Sequence, residues 1–120
     1  MIRFSLELIK YVNKTQNLFK LLLRYLNNAC VYHKTEIAKK LIDLILTKNK
    51  HVDFVHEFFE AACNNSSEIL EYMIEKKVYV NYDQMNILEK LNKLSRMNEK
   101  TFNLFINNIP VQIKFVFMNS

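Results

Sequence analysis

Apolar residues recur at helical spacing along most of the chain. Residues 68–77 carry one apolar stripe, with acidic residues in the first turn and Lys76 and Lys77 at the end, which matches the helix dipole. Residues 54–63 place four apolar side chains on one helix face: Phe54, Phe58, Ala61 and Ala62. The same spacing predicts about seven short helices, over residues 6–12, 18–30, 35–46, 54–63, 68–77, 87–97 and 100–107.

Short polar segments separate these predicted helices, at residues 13–17, 47–53 and 81–86. With 120 residues, half of them apolar and 24% charged, the chain is suited to one domain with a buried core. The C-terminal segment 109–118 is apolar and rich in β-prone residues. We expect it to fold back as a short extended segment over the last helix pair.

The chain repeats itself with a period of 32 to 33 residues. Short paired helices that recur at such a period are marginal alone and need neighbours to stack on. A shift of 32, followed by a shift of 33, aligns these pairs: Ala29 with Ala61, Glu36 with Glu68, Ile37 with Ile69, then Ile69 with Phe102 and Met73 with Ile106.

This period, with two helices and an extended connector, resembles the ankyrin repeat, most clearly over residues 60–81. Ala61 and Ala62 stand at the family's Ala pair, and Val80 and Asn81 stand at the closing Val-Asn of its connector, called the finger. The resemblance implies an all-α solenoid of stacked helix–turn–helix repeats. Its approximate units are residues 1–17 (partial), 18–53, 54–86 and 87–120.

The chain has no glycine and a single proline, Pro110. Enzymes that need a glycine-rich phosphate loop or a nucleophile elbow are therefore excluded. The resemblance aligns His33, Asn65 and Asn98 with the family's glycine between the two helices, and we expect all three at positive φ, where His and Asn are enriched. Lys77 and Pro110 align with the second family glycine, are poor left-handed caps, and predict an altered start of the finger.

The charge balance is mildly basic, with 17 Lys and Arg against 12 acidic residues and a net charge of +5. An ordinary solvated surface explains this excess. Lys90, Lys93, Arg96 and Lys100 recur at three- and four-residue spacing and predict a basic stripe on one helix and its following turn. Such a stripe is a solvated face or a contact for an acidic partner or an RNA backbone.

Cys30 and Cys63 lie in apolar stretches without CxxC spacing, which indicates buried thiols in an intracellular protein, cytoplasmic or nuclear. A disulfide between them is left open. The first twelve residues are interrupted by Glu7 and Lys10 and lack the pattern of a signal peptide, and no apolar run is long enough to span a membrane.

The sequence predicts no catalytic, metal or cofactor site and no small-molecule substrate. His51, Asp53 and His56 are close in sequence but lack a fourth ligand. Glu57 and Glu60 have helical spacing on what we expect to be a solvated face, with nothing to raise a pKa for acid–base work.

The resemblance implies protein–protein recognition through the concave face and the fingers. Tyr79 and Tyr82 flank the predicted finger tip and are candidate interface anchors, although packing on the neighbouring finger is an equal alternative. The candidate contact residues are Asp53, Glu57, Glu60, Asn64, Tyr79, Tyr82, Asp83 and Lys90.

Two other functions are compatible with the sequence. The first is a small basic helical protein that binds nucleic acid through its Lys-rich surface, with steep salt dependence. The second is a truncated repeat protein without independent activity.

Overall fold

The computed structural model describes the backbone of residues 2–84 and 95–118, and the side chains of residues 17–83 and 95–114. The described backbone is all-helical and contains no β-strand. Its six α-helices and one short 3₁₀ turn (Tyr82–Gln84) are, in chain order, α1 (Ile2–Val31), α2 (Thr35–Lys48), α3 (Val55–Cys63), α4 (Ser67–Glu75), α5 (Glu99–Asn108) and α6 (Val111–Met118).

Five of the described helices form two layers. The layer that we call inner holds α1 and α3, which contact each other, and the layer that we call outer holds α2, α4 and α5 in that order. Helices α1 with α2 and α3 with α4 contact each other across the layers. The core between the layers is apolar and includes Leu26, Ile42, Phe58, Ile69 and Phe105.

The outer-layer helices begin at a constant interval. Their N-cap residues are Lys34, Ser66 and Asn98, each 32 residues after the one before. The sequence alignment used a shift of 33 for the last step, and the structure corrects it. Thr101, not Phe102, is the buried residue that corresponds to Ile69, and Phe102 is exposed.

Three helices end in the same left-handed turn. His33, Asn65 and Lys77 have φ of 57°, 57° and 55°. In each turn the next amide donates back across the turn, as Lys34 N does to Ala29 O at 2.9 Å and Val78 N to Met73 O at 3.2 Å. This is the Schellman arrangement, which glycine usually completes because a Cβ disfavours positive φ.

The prediction for this turn is confirmed at His33 and Asn65 and wrong at two other residues. Asn98 has φ −74° and ψ 170°, because it is the N-cap of α5 and its side chain accepts from Thr101 N at 2.8 Å. Lys77 does adopt positive φ. The cost of this left-handed conformation arises where Cβ approaches the following carbonyl oxygen. The side chain of Lys77 itself is exposed.

The N-terminal prediction of two helices is wrong, since α1 runs unbroken from Ile2 to Val31. Residues 13–17 are polar but include no glycine or proline, the two residue types that interrupt a helix most strongly. Polarity alone therefore did not mark a helix end.

The C-terminal prediction is also wrong, because residues 111–118 form α6 and not an extended segment. Ile109 is extended, with φ −96° and ψ 156°, and Lys114 N donates to Pro110 O at 2.9 Å. Pro110 is thus the N-cap of α6, a position whose N–H has no acceptor within the helix. Most of the predicted helix 87–97 lies outside the described residues, and Ser95 and Arg96 at its end form a turn.

Lys77→Gly should stabilise the protein by about 1 kcal/mol, because glycine removes the cost of positive φ at a C′ position. The neighbouring Lys76 has φ −79° in the right-handed region and is a matched control. Lys76→Gly should destabilise by about 0.5 kcal/mol. Urea unfolding of the two variants measures both effects, and equal effects would contradict the role of Lys77.

Candidate functional site

Asp53 joins the two described fingers. The first finger is residues 49–54, before α3, and the second is residues 78–83, after α4. One Asp53 carboxylate oxygen accepts from Val55 N at 3.0 Å and from Asn81 N at 2.9 Å. Phe54 N donates to Tyr79 O at 2.8 Å, beside a single parallel bridge between Asp53 and Tyr79. Asp53 was predicted to contact a partner, but its carboxylate holds the fingers together.

The two finger tyrosines differ in environment. Tyr79 is 49% exposed. Tyr82 packs edge-on against Phe58, with ring centroids 6.2 Å apart, and its hydroxyl donates to Asn108 O at 3.5 Å. Burial raises the pKa of Tyr82. Of the two tyrosines only Tyr79 is therefore exposed, and Tyr82 packs on a core ring and not on the neighbouring finger.

An open groove of about 550 Å³ runs between the second finger and the start of α6. Asp83 is exposed on its finger side, and Asn81 Oδ1 accepts from Asp83 N at 3.2 Å, which fixes the turn. The lining residues are Tyr79, Val80, Asn81, Tyr82, Asp83, Pro110, Gln112 and Ile113. The last three were missed because the sequence predicts an extended segment over residues 109–118, although a proline directly before an apolar run is also compatible with the start of a helix.

Glu57 is not on a solvated face, and that prediction is corrected. Helix α3 contacts α1, α4 and α5, so most of its circumference is covered. Glu57 is 5% exposed, which leaves it unable to contact a partner directly.

Glu60 and Asn64 lie together at the end of α3, away from the groove. Asn64 Nδ2 donates to the Glu60 carbonyl at 2.8 Å and to Glu60 Oε2 at 3.0 Å. With Cys63 and Arg96 they line a separate depression of about 210 Å³. The predicted contact residues thus fall into two places, and Lys90 lies outside the described residues.

The predicted basic stripe is described only in part. Lys90 and Lys93 lie outside the described residues. Arg96 lies in a turn and Lys100 in α5, and both are exposed. The two described residues of the stripe therefore lie in a turn and in the helix after it, whereas the sequence predicts one helix and its following turn.

The thiol of Cys30 is buried against α3. Its Sγ donates to Glu57 O at 3.7 Å. Burial, with the nearby charges of Glu57 and Glu60, raises the pKa of Cys30 to about 12. A thiol with this pKa is a poor nucleophile at neutral pH. Neither Cys30 nor Cys63 forms a disulfide.

No group of three or more His, Cys, Asp or Glu side chains is placed to hold a metal ion within the described part of the chain. His51 and His56 are both exposed, and Asp53 between them is used by the fingers. The sequence cluster of these three residues therefore does not assemble into a site.

Tyr72 joins α2 to α4 on the outer surface. Its hydroxyl donates to Asp43 Oδ1 at 2.6 Å, and this hydrogen bond is the main reason that the pKa of Tyr72 is raised to about 12. The ammonium groups of Lys39 and Lys76 lie 5.5 Å and 5.3 Å from the ring centroid. Such contacts are worth about 0.5–1 kcal/mol at exposed sites.

Comparison with family models, with curated proteins and with solved structures gave no significant match. None of the described helices has the length and apolar character that crossing a membrane requires. The class that the structure defines is an all-helical fold with paired fingers and an open groove.

Asp53→Ala should destabilise the protein by about 2 kcal/mol, because two partly buried amides lose their acceptor. Asp53→Asn should lose less, since an amide oxygen can accept the same hydrogen bonds. The midpoint of chemical denaturation measures this order. Equal loss in both variants would mean that charge, and not hydrogen bonding, holds the fingers.

Asp43→Asn should lower the pKa of Tyr72 toward its ordinary value near 10. Because folding raises this pKa, the bond stabilises the fold fully below pH 10 and its contribution is lost as pH rises through 12. Phenolate absorbance, compared with a Tyr72→Phe variant, isolates this titration. An unchanged titration in Asp43→Asn would contradict the assigned cause.

Proposed function

We propose that the protein is an ankyrin-like stack of helix pairs that binds a partner protein at its finger surface. The observation that carries the proposal is the groove of about 550 Å³ beside the exposed ring of Tyr79. The 32-residue interval between outer helices and the paired fingers support the ankyrin-like architecture.

The finger surface is suited to binding because it is held in place before a partner arrives. Asp53 and the Phe54–Tyr79 hydrogen bond fix the second finger against the first. Tyr82 fixes the other end of the same finger on Phe58. A partner therefore meets an ordered surface, and binding costs little ordering entropy.

The groove offers the chemistry of peptide recognition. Amide groups of Asn81 and Gln112 supply donors and acceptors, and Pro110 and Ile113 supply apolar contact. Asp83 is the one carboxylate among the lining residues. Acid–base catalysis normally pairs a carboxylate with a second tuned group, so this lining favours recognition over an enzyme.

We also infer an intracellular location for this activity. Both cysteines are thiols, as is usual in reducing compartments. The proposed activity needs no metal or cofactor. We propose a protein as the partner, in preference to nucleic acid, a membrane or a small-molecule substrate.

Tyr79→Ser should weaken partner capture about ten-fold, because an exposed aromatic anchor is lost. Affinity capture from a native lysate at two salt concentrations, followed by titration of the purified partner, measures this effect. The matched control is Phe102→Ser, which removes an exposed aromatic side chain from α5. This variant should leave capture unchanged. Tyr82→Phe should also bind normally, since it keeps the ring contact with Phe58.

Three results would overturn the proposal. Equal capture by wild type and Tyr79→Ser would remove the finger surface as the site. Recovery of generic RNA or DNA, lost steeply with salt, would favour the nucleic-acid alternative. An aggregating or unfolded purified chain would favour a truncated repeat protein without activity.

A further inference from the structure

A second surface, distant in sequence from the finger groove, exposes large apolar side chains on α1 and α2. We call it the N-terminal face. Its members, each exposed by 39% or more, are Leu18, Leu21, Tyr25, Tyr32, Ile37 and Leu44. A soluble chain seldom exposes this many large apolar side chains on two adjacent helices without a binding role.

The α1 members of this face lie on one side of the helix. Leu18, Leu21 and Tyr25 are separated by three and four residues, the spacing of an apolar seam, and Tyr32 follows in the turn after α1. The core-facing residues of α1, which include Leu22 and Leu26, occupy the adjacent sector of the helix. The apolar arc of α1 is therefore wider than the part of it that the core covers.

The next helix pair shows what ordinarily covers such positions. Ile37 of α2 corresponds to Ile69 of α4 at the 32-residue interval, yet Ile37 is 55% exposed and Ile69 is fully buried. Helix α4 lies between α2 and α5, whereas the main described contacts of α2 are with α1 and α4. In the second helix pair, the position that corresponds to Ile37 is therefore covered by a packed helix.

The charge beside this face is mainly basic. On α2 the exposed Lys40 lies at helical spacing from both Ile37 and Leu44. Glu36 is an exposed carboxylate beside Ile37, and Asp43 accepts a hydrogen bond from Tyr72.

The chain carries no Asp or Glu between Leu8 and Thr35. Lys20 and Arg24 are exposed, and Arg24 lies one helical turn from Leu21. A second copy of this chain would bring basic groups against basic groups, which opposes self-association.

We propose that the N-terminal face binds an amphipathic helix of a partner protein, one whose apolar seam is flanked by acidic residues. The apolar seam packs on α1 and α2 as a further helix of the stack would. The acidic flank pairs with Lys20 and Arg24. The proposal is independent of the finger surface, and Tyr79→Ser leaves this face unchanged.

A pair of designed peptides tests the proposal. Both have about 21 residues with leucine at heptad positions a and d; one carries glutamate at the flanking e and g positions and the other carries lysine. Fluorescence polarisation with the full chain should show the glutamate peptide binding about ten-fold more tightly at low salt, and less so at high salt.

Two double variants separate the apolar and charged parts of the face. Leu21→Ser with Tyr25→Ser should reduce glutamate-peptide binding about ten-fold, since exposed apolar contacts are lost. Lys20→Glu with Arg24→Glu should reverse the preference between the peptides. Phe102→Ser and Tyr79→Ser are the controls and should bind as wild type does. Circular dichroism checks that each variant is folded.

Each other outcome overturns the proposal. Equal binding of both peptides, or of neither, removes the acidic helix as the occupant. A dimer of the chain alone, dissociated by Leu21→Ser with Tyr25→Ser in sedimentation measurements, assigns the face to a second copy. Sedimentation with phosphatidylserine vesicles, lost in the same variant while the peptides do not bind, assigns it to an anionic membrane surface.

Discussion

The left-handed residue at the end of a helix is the constraint on which the rest of this structure depends. His33 and Asn65 turn the chain at positive φ, and each also uses its side chain to reach the next helix pair. His33 Nδ1 lies 2.8 Å from Ser66 Oγ. Because that hydroxyl donates its one proton to Cys30 O, the histidine ring is the donor between them.

Asn65 makes the corresponding link one interval later. Its Oδ1 accepts from Asn98 N at 2.7 Å, and its Nδ2 donates to Arg96 O at 3.0 Å. In both places the residue that reverses the chain also contacts the N-cap of the following outer helix. Glycine would relieve the backbone but supply no side chain for this link. In this glycine-free chain, the residues at positive φ therefore strain the backbone. Their side chains also form hydrogen bonds that link successive helix pairs.

Much of this architecture is encoded in local sequence, and the failures have specific physical causes. Helices α2 to α5 follow from apolar spacing, and the turns at His33 and Asn65 follow from the residue types that tolerate positive φ. The unbroken α1 was missed because polar residues were taken as a helix break. Helix α6 was missed because β-prone residues outweighed the proline that starts it. The β-propensity of single residues is a weak signal where a proline stands directly before a helix.

The candidate site was harder to predict than the fold, since a side chain's role depends on its neighbours. Asp53 and Tyr82 are residue types suited to an interface, yet both are engaged within the protein. Glu57 is buried by helices that are distant in sequence. Tyr79 is exposed, as the repeat pattern predicts for a finger tip, whereas Pro110 and Ile113 line the groove only through the tertiary arrangement.

Cys30 gives this fold a chemical reporter of its own motion. The thiol lies between α1 and α3, where its pKa of about 12 keeps it protonated and shielded from oxidants. It reacts at an appreciable rate only in molecules in which those two helices have separated. The rate of thiol labelling at Cys30, distinguished from Cys63 by peptide mapping, therefore measures how often the inner layer opens while the rest of the chain stays folded.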